Sequence, residues 1–223
     1  MAGLVVLSAA NLAYQLLRKP TEMLVPVSGA LNKEPAETWR DYAPLFREYA
    51  TATITPALLA ALAQVEGAGN PVAHTYWRWR LTWHPFAIYA PASSAVGMYQ
   101  MTDAAFAEAR RYCIRRHTVL EEGCWFNGLY TRIVPSHAVE LAAALLDRKV
   151  AAVLAGRPDA TQSQKEELAA VIHLCGAGAA HAFARHGFRP TQGEHCGDHD
   201  LAAYLAAVDA MKQRFLRLAA DRR

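Results

Sequence analysis

Alanine and leucine run through almost every segment of this chain, and runs of β-branched residues stay short, so the backbone is committed to helix nearly everywhere. Proline and glycine cut that tendency into pieces. Pro20, Pro26 and Pro35 with Gly29 mark residues 21–37 as an irregular connector. Residues 39–50 carry Trp39, Tyr42, Leu45, Phe46 and Tyr49 at helical spacing. Thr55-Pro56 supplies a cap and a first-turn proline for a helix that runs to a stop at Gly67-Ala68-Gly69. Residues 75–91, with Tyr76, Trp77, Trp79, Trp83, Phe86 and Tyr89 among prolines and arginines, read as a long loop.

Further along, Thr102 and Asp103 cap a helix to about residue 116, and residues 123–133 read as irregular. Pro135-Ser136 opens an alanine-rich helix to about residue 154. Ser163 with Glu166 has the form of a capping box leading into residues 167–174, and Gly176-Ala177-Gly178 breaks that helix before another at 179–186. Asp198 or Asp200 caps a final helix to about Leu218, whose Lys212, Arg214, Arg217, Arg222 and Arg223 complement a helix C-terminus as a solvated face. The expected fold is all-α, with an N-terminal helix and irregular arm over residues 1–37 and one domain over 38–223.

Composition excludes several classes. With 53% hydrophobic and 19% charged residues in 223, the chain has the material for a real core and is no disordered polymer. The net charge, 23 − 20 = +3, is too small to argue for nucleic acid. No uninterrupted apolar stretch approaches the roughly 18 to 20 residues of a stable membrane span. The apolar N-terminal run lacks the basic residues that precede a signal peptide's core, so residues 11–18 read as a helix packed on the domain, with an export-signal remnant as the alternative. Four cysteines permit three pairings. Proximity favours Cys113–Cys124 and Cys175–Cys196, and two bridges would place the protein in a periplasm or outside the cell.

Glu66 closes an apolar helix beside three small residues. Apolar surroundings penalise a carboxylate's charge, which suits a proton donor, and small neighbours let a bulky substrate approach. The segment Ser93-Ser94-Ala95-Val96-Gly97-Met98-Tyr99-Gln100 leads through a glycine to an amide with donors and acceptors.

Four segments in order, LAALAQVEGAGNP, SSAVGMYQMTDAAF, CGAGAAHAF and HDLAAYLAAV, together resemble the soluble lytic transglycosylase domain with its goose-type lysozyme-like fold, across roughly residues 50–210. The resemblance implies that Glu66 is the single catalytic acid and base. It implies that Gly97, Met98, Tyr99 and Gln100 line the cleft beside it, and that Tyr204 hydrogen-bonds the glutamate. Two positions depart from the pattern: Gly67 stands where a serine is usual, and Cys175-Gly176 where tyrosine and asparagine are. Gly67 and Gly176 are therefore expected at the substrate surface with the usual sugar contacts missing.

The implied reaction is non-hydrolytic cleavage of the β-1,4 link between N-acetylmuramic acid and N-acetylglucosamine. It needs no second carboxylate, whereas hydrolytic glycosidases place one about 5 to 9.5 Å from the first. Asp103 and Glu108, the nearest downstream acids, read as first-turn helix residues. The alternatives are a muramidase of the same fold and a catalytically weak peptidoglycan-binding module. Trp77, Trp79 and Trp83 are candidate stacking platforms for sugars, with core packing an equal account, and Arg78 and Arg80 candidate partners for stem-peptide carboxylates. His195-Cys196 and His199, with Cys175, His173, His181 and His186, lack the paired spacing of a structural zinc site. The expectation is therefore a monomer acting on glycan strands, without metal, cofactor or nucleic acid.

Overall fold

In a computed structural model, which describes residues 2–157 and 159–221, the chain is mostly helical. Helix α4 (Pro56–Gly67) is the centre. Thr55 starts it by accepting from the Leu58 amide at 3.2 Å, and Pro56 occupies the first turn, where a missing N–H costs nothing. Residues 58–63 are each at most 1% exposed, so no face of α4 meets water. Alanine at 60, 61 and 63 lets neighbours approach closely from several sides. Those neighbours are α3 (Pro35–Glu48), α6 (Pro135–Val153) and α8 (Leu201–Ala220). α7 (Gln162–Arg185) packs on α6 and α8 and completes the core through Leu168, Ala169 and Val171.

A buried polar network locks the lower end of this bundle. Thr55 Oγ1 donates to Glu166 Oε1 at 2.6 Å, and Lys212 Nζ lies 3.0 Å from Glu166 Oε2. Glu166 belongs to α7 and Lys212 to α8, so one carboxylate joins three helices. The capping box expected at Ser163 and Glu166 is formed instead by Thr161 and Gln164, each side chain accepting from the other's amide. The Thr-x-x-Gln pattern satisfies the same rule two residues earlier, which leaves Glu166 free to turn inward. The glycine break appears as a kink inside one helix: Gly176 has φ 79° and ψ 175° within α7.

Two other expectations are corrected. Residues 75–91 are a β-hairpin, β1 (Trp77–Trp79) pairing antiparallel with β2 (Tyr89–Pro91), with a 3₁₀ turn at Pro85–Ala87 between them. Trp79 and Tyr89 sit opposite each other in the ladder, their rings 4.7 Å apart, an aromatic cross-strand pair of the kind that stabilises short strands. The arm is also less irregular than its prolines suggest. It forms 3₁₀ turns at Pro20–Leu24 and Gly29–Leu31 around a helical turn α2 (Val25–Ser28). Asn70, buried after α4, donates to Ser28 O at 2.6 Å and Asn32 Oδ1 at 2.8 Å, docking the arm on the core. α1 (Ala2–Arg18) precedes it and extends further toward the N-terminus than residues 11–18.

The remaining elements are short: α5 (Asp103–Ala109), the hairpin β3 (Cys113–Arg115) with β4 (Thr118–Leu120), a 3₁₀ turn at Trp125–Leu129, and β5 (His195–Cys196) with β6 (His199–Asp200). Both expected disulfides form, Cys113–Cys124 with Cα atoms 5.4 Å apart and Cys175–Cys196 with 5.3 Å. α7 alone among the described helices has the length and hydropathy of a span, and within the fold it is a core helix. Arg222 and Arg223 lie outside the described residues.

Thr55→Ala removes a helix cap and one donor to a buried carboxylate, and should lower the unfolding free energy by about 1–3 kcal/mol in urea denaturation. A loss below measurement error would mean that the network is not closed in solution. Closure of loops of this size by each disulfide should contribute about 3 kcal/mol. Non-reducing mass spectrometry should find no free thiol, and reduction should lower the melting temperature.

Candidate active site

Glu66 stands in the last turn of α4, just past the block that has no exposed face. The helix stops two residues later because Ala68 takes a left-handed conformation, with its amide on the carbonyls of Ala63 and Gln64. This places the carboxyl where α7 and α8 converge. Tyr204 Oη donates to Glu66 Oε1 at 2.6 Å across 138 positions of sequence. Asp200 caps α8 by accepting from the Ala203 amide at 2.7 Å, which fixes the turn that presents Tyr204. Burial raises the Tyr204 phenol well above its ordinary pKa, and the charge of Glu66 and their hydrogen bond push it further. Tyr204 is therefore a permanent donor at any working pH. His173 of α7 brings Nε2 to 3.6 Å from the same carboxylate oxygen.

The turn at residues 97–100 presses against the end of α4. A Cβ on Gly67 would lie 2.8 Å from Met98 Cα and 3.0 Å from Met98 O, so the backbone of the turn occupies the space of a side chain. Gly97 has φ 82°, and a Cβ there would meet Arg132 O at 2.3 Å. Its carbonyl accepts from both the amide and the side-chain Nε2 of Gln100, at 3.0 and 2.9 Å. Arg132 closes the turn from outside, donating to Ser94 O at 2.9 Å and Met101 O at 2.7 Å while pairing with Asp103 at 2.7 Å.

Cleft-lining roles for Gly97, Met98, Tyr99 and Gly67 are corrected by this packing. Met98 and Tyr99 are buried, and Tyr99 Oη donates to Leu59 O at 3.2 Å inside the core. Gly67 faces the turn's backbone, so it is a packing position; a serine side chain there would meet Met98 rather than a ligand. Gln100, Gly176 and His173 do come together, lining a cavity of about 270 Å³ that ends within one side chain of Glu66. Glu108 lines it too, paired with Lys149 at 2.8 Å. α5 has only seven residues and Glu108 is its sixth, so it lies in the last turn rather than the first.

A second cavity of about 580 Å³ lies on the other side of the α5 start, bounded by Arg18, Arg80, Ser94, Asp103 and Arg132. The tryptophans line neither cavity. Trp77 Nε1 donates to Glu22 at 2.8 Å, and Trp83 is fully exposed in the turn between β1 and β2. Among the described residues no three His, Cys, Asp or Glu side chains gather as metal ligands; Cys175 and Cys196 are bonded to each other. The other buried acids serve the fold. Glu140 accepts from the Ile114 amide at 2.8 Å and from Tyr130 Oη at 2.7 Å, and Glu166 is held by Thr55 and Lys212.

Sequence reasoning missed Arg132, which has no motif around it, and read His173 only as a metal candidate. His173 lies three residues before the Gly176 kink, and both line the cavity wall. No family model matches the chain, and no curated protein or solved structure matches it either.

Gly67→Ser tests the packing directly. The added side chain must displace the 97–100 turn, so the variant should lose about 1–3 kcal/mol of stability. A variant as stable as the parent would show that the turn does not rest on α4.

Proposed function

We propose that the chain is a lytic transglycosylase of goose-type lysozyme-like fold, acting on peptidoglycan glycan strands in the bacterial envelope. The observation that carries this reading is the Tyr204–Glu66 hydrogen bond, made beside a Gly-x-x-Gln turn that packs on the residue after the glutamate. Three segments spread over some 150 residues supply these groups. The two cavities flanking the start of α5 suit an extended polymer better than a compact metabolite. Two disulfides fit an oxidising compartment, and periplasmic or secreted localisation is part of the proposal.

In this mechanism Glu66, as the acid, protonates the oxygen of the muramic acid–glucosamine link while the C1–O bond breaks. The resulting carboxylate then takes the proton of the muramic C6 hydroxyl, whose oxygen closes on C1 and gives a 1,6-anhydro end. Atoms balance without water. Tyr204 holds Oε1 through both protonation states, because its own proton does not leave. That bond orients the carboxyl and leaves Oε2 to exchange the proton. Gln100 offers a polar contact to the sugar in the cavity wall.

One observation favours a second reading. Glu108 shares the cavity with Gln100 and His173, which gives a hydrolase a carboxylate for positioning water. The reactions are told apart by product. Digestion of purified sacculi, read by liquid chromatography and mass spectrometry, should yield anhydro-muropeptides lighter by one water than hydrolytic products. Glu66→Gln should lower their rate by about 10²–10⁴-fold, and Tyr204→Phe by about ten- to a hundredfold. Glu108→Gln should leave the anhydro product unchanged. Reducing ends that vanish in Glu108→Gln would move the protein to the muramidases. Sacculus binding with no product from the parent chain would make it a binding module.

A further inference from the structure

The hairpin of β1 and β2 ends in apolar groups that the fold leaves wholly or partly uncovered. Leu81 and Trp83 are completely exposed, Trp79 is 75% exposed, and Phe86 and Ile88 remain open. A surface of this kind on a domain with an ample core marks a contact site. α1 adjoins it: Tyr14 stacks on Phe86 with ring centres 5.0 Å apart, Gln15 donates to Phe86 O, and Asn11 donates to Tyr89 O at 2.8 Å. These polar contacts use one side of α1. On the other side Val5 and Leu12, seven residues apart, and Val6 and Leu17, eleven apart, form two adjacent exposed rows without a charge.

Charge defines what this surface fits. Residues 2–21 and 67–102 contain no aspartate or glutamate. The nearest acid in the arm, Glu22, is buried and spent on Lys19 and Trp77. The cations Arg18, Arg78 and Arg80 stand exposed around the apolar groups. Protruding tryptophan and leucine with a mainly basic collar, the nearest exposed acid Asp103 being paired with Arg132, are the chemistry of a bilayer interface, where indoles sit among headgroups and arginines meet lipid phosphates. Stacking of sugars on the tryptophans would instead require those rings to face a groove; Trp79 and Trp83 line neither cavity, and of the exposed apolar rings at the turn only Phe86 borders the larger one.

We infer that the hairpin turn and the outer side of α1 form a membrane-docking surface for an anionic lipid bilayer. This inference is independent of the reaction proposed above. The surface inserts only side chains and needs no transmembrane segment; the cleft-bearing bundle stays outside the lipid.

The test is flotation of the full chain with vesicles of phosphatidylcholine and phosphatidylglycerol, and with phosphatidylcholine alone. The parent should float with the anionic vesicles and much less with the neutral ones. Leu81→Ser with Trp83→Ser should weaken partitioning by about tenfold or more. Arg18→Glu with Arg78→Glu should abolish the preference for anionic lipid. All four positions are exposed, and circular dichroism checks that the variants keep their fold. Quenching of the parent's tryptophan fluorescence by brominated lipid gives a reading that needs no variant. A parent that fails to float, or flotation that neither double variant changes, overturns the inference. So does loss of sacculus binding by the apolar double variant, which would make the surface a glycan site. The vesicle measurements stand whether or not the chain cleaves or binds sacculi, so failure here and failure of the cell-wall reading are separate results.

Discussion

Residues 58–63 leave α4 without a face to water, and nearly everything else in the molecule follows from enclosing it. A helix buried all round has to be wrapped by others, and alanines at 60, 61 and 63 keep those neighbours close. Both of its ends carry polar groups. At the N-terminus Thr55 is both cap and hydrogen-bond donor to Glu166, whose charge Lys212 balances. That network fixes the approach of α7 and α8 to α4, and its three side chains are held to one another where they border an open cavity of about 850 Å³. At the C-terminus the pattern reverses. Glu66 has a donor on one oxygen, a histidine nearby and a cavity within one side chain. The same buried helix thus separates a structural carboxylate from one placed for chemistry.

The geometry at the Glu66 end depends on backbone packing more than on side chains. Because Gly67 lacks a Cβ, the turn at residues 97–100 rests directly on the helix, and Gly97 lets Arg132 O approach from the other side. Gln100 is then held by its own turn through two bonds to Gly97 O. A serine after the glutamate would push this turn outward. Glycine at 67, where the resembled pattern has serine, therefore goes with a turn packed directly on the helix. The second departure acts differently. Cys175 ties the kink of α7 to Cys196, in the short hairpin that leads into α8 and Tyr204, so a covalent link replaces a polar side chain beside the cavity.

Helical segments with caps were legible because cap and burial pattern are local: Thr55-Pro56, Thr102, Pro135 and Asp200 all begin helices where the residues say they should. Both cysteine pairings followed from proximity in sequence. Glu66 and Tyr204 came from the motif resemblance, and no spacing rule could have paired residues 138 apart. What escaped was decided by tertiary contact. Gly97, Met98 and Tyr99 sit in a motif that looks like cleft but lies under it, since the turn buries all three and leaves only Gln100 partly open. Arg132 is read only once its three partners are assembled. The aromatic segment 75–91 hid its period of two behind Pro85 and Pro91, although Pro91 is tolerated at the end of an edge strand.

That hairpin also shows why aromatic content alone misleads about function. Tryptophans were natural candidates for holding sugars, yet their places follow from the ladder: Trp77 turns to Glu22 and the arm, Trp79 pairs with Tyr89, and Trp83 is carried beyond both strands into the turn. A ring serves a cleft only if the strand that bears it borders the cleft. Here the strand borders α1, and both are free of acids and rich in uncovered apolar groups. The cavity of about 580 Å³ lies between these elements and the start of α5, touching Arg18 and Arg80 on one wall and Asp103 and Arg132 on the other. Arg18 and Arg80 therefore belong to two surfaces at once, the surroundings of the apolar tip and the wall of that cavity.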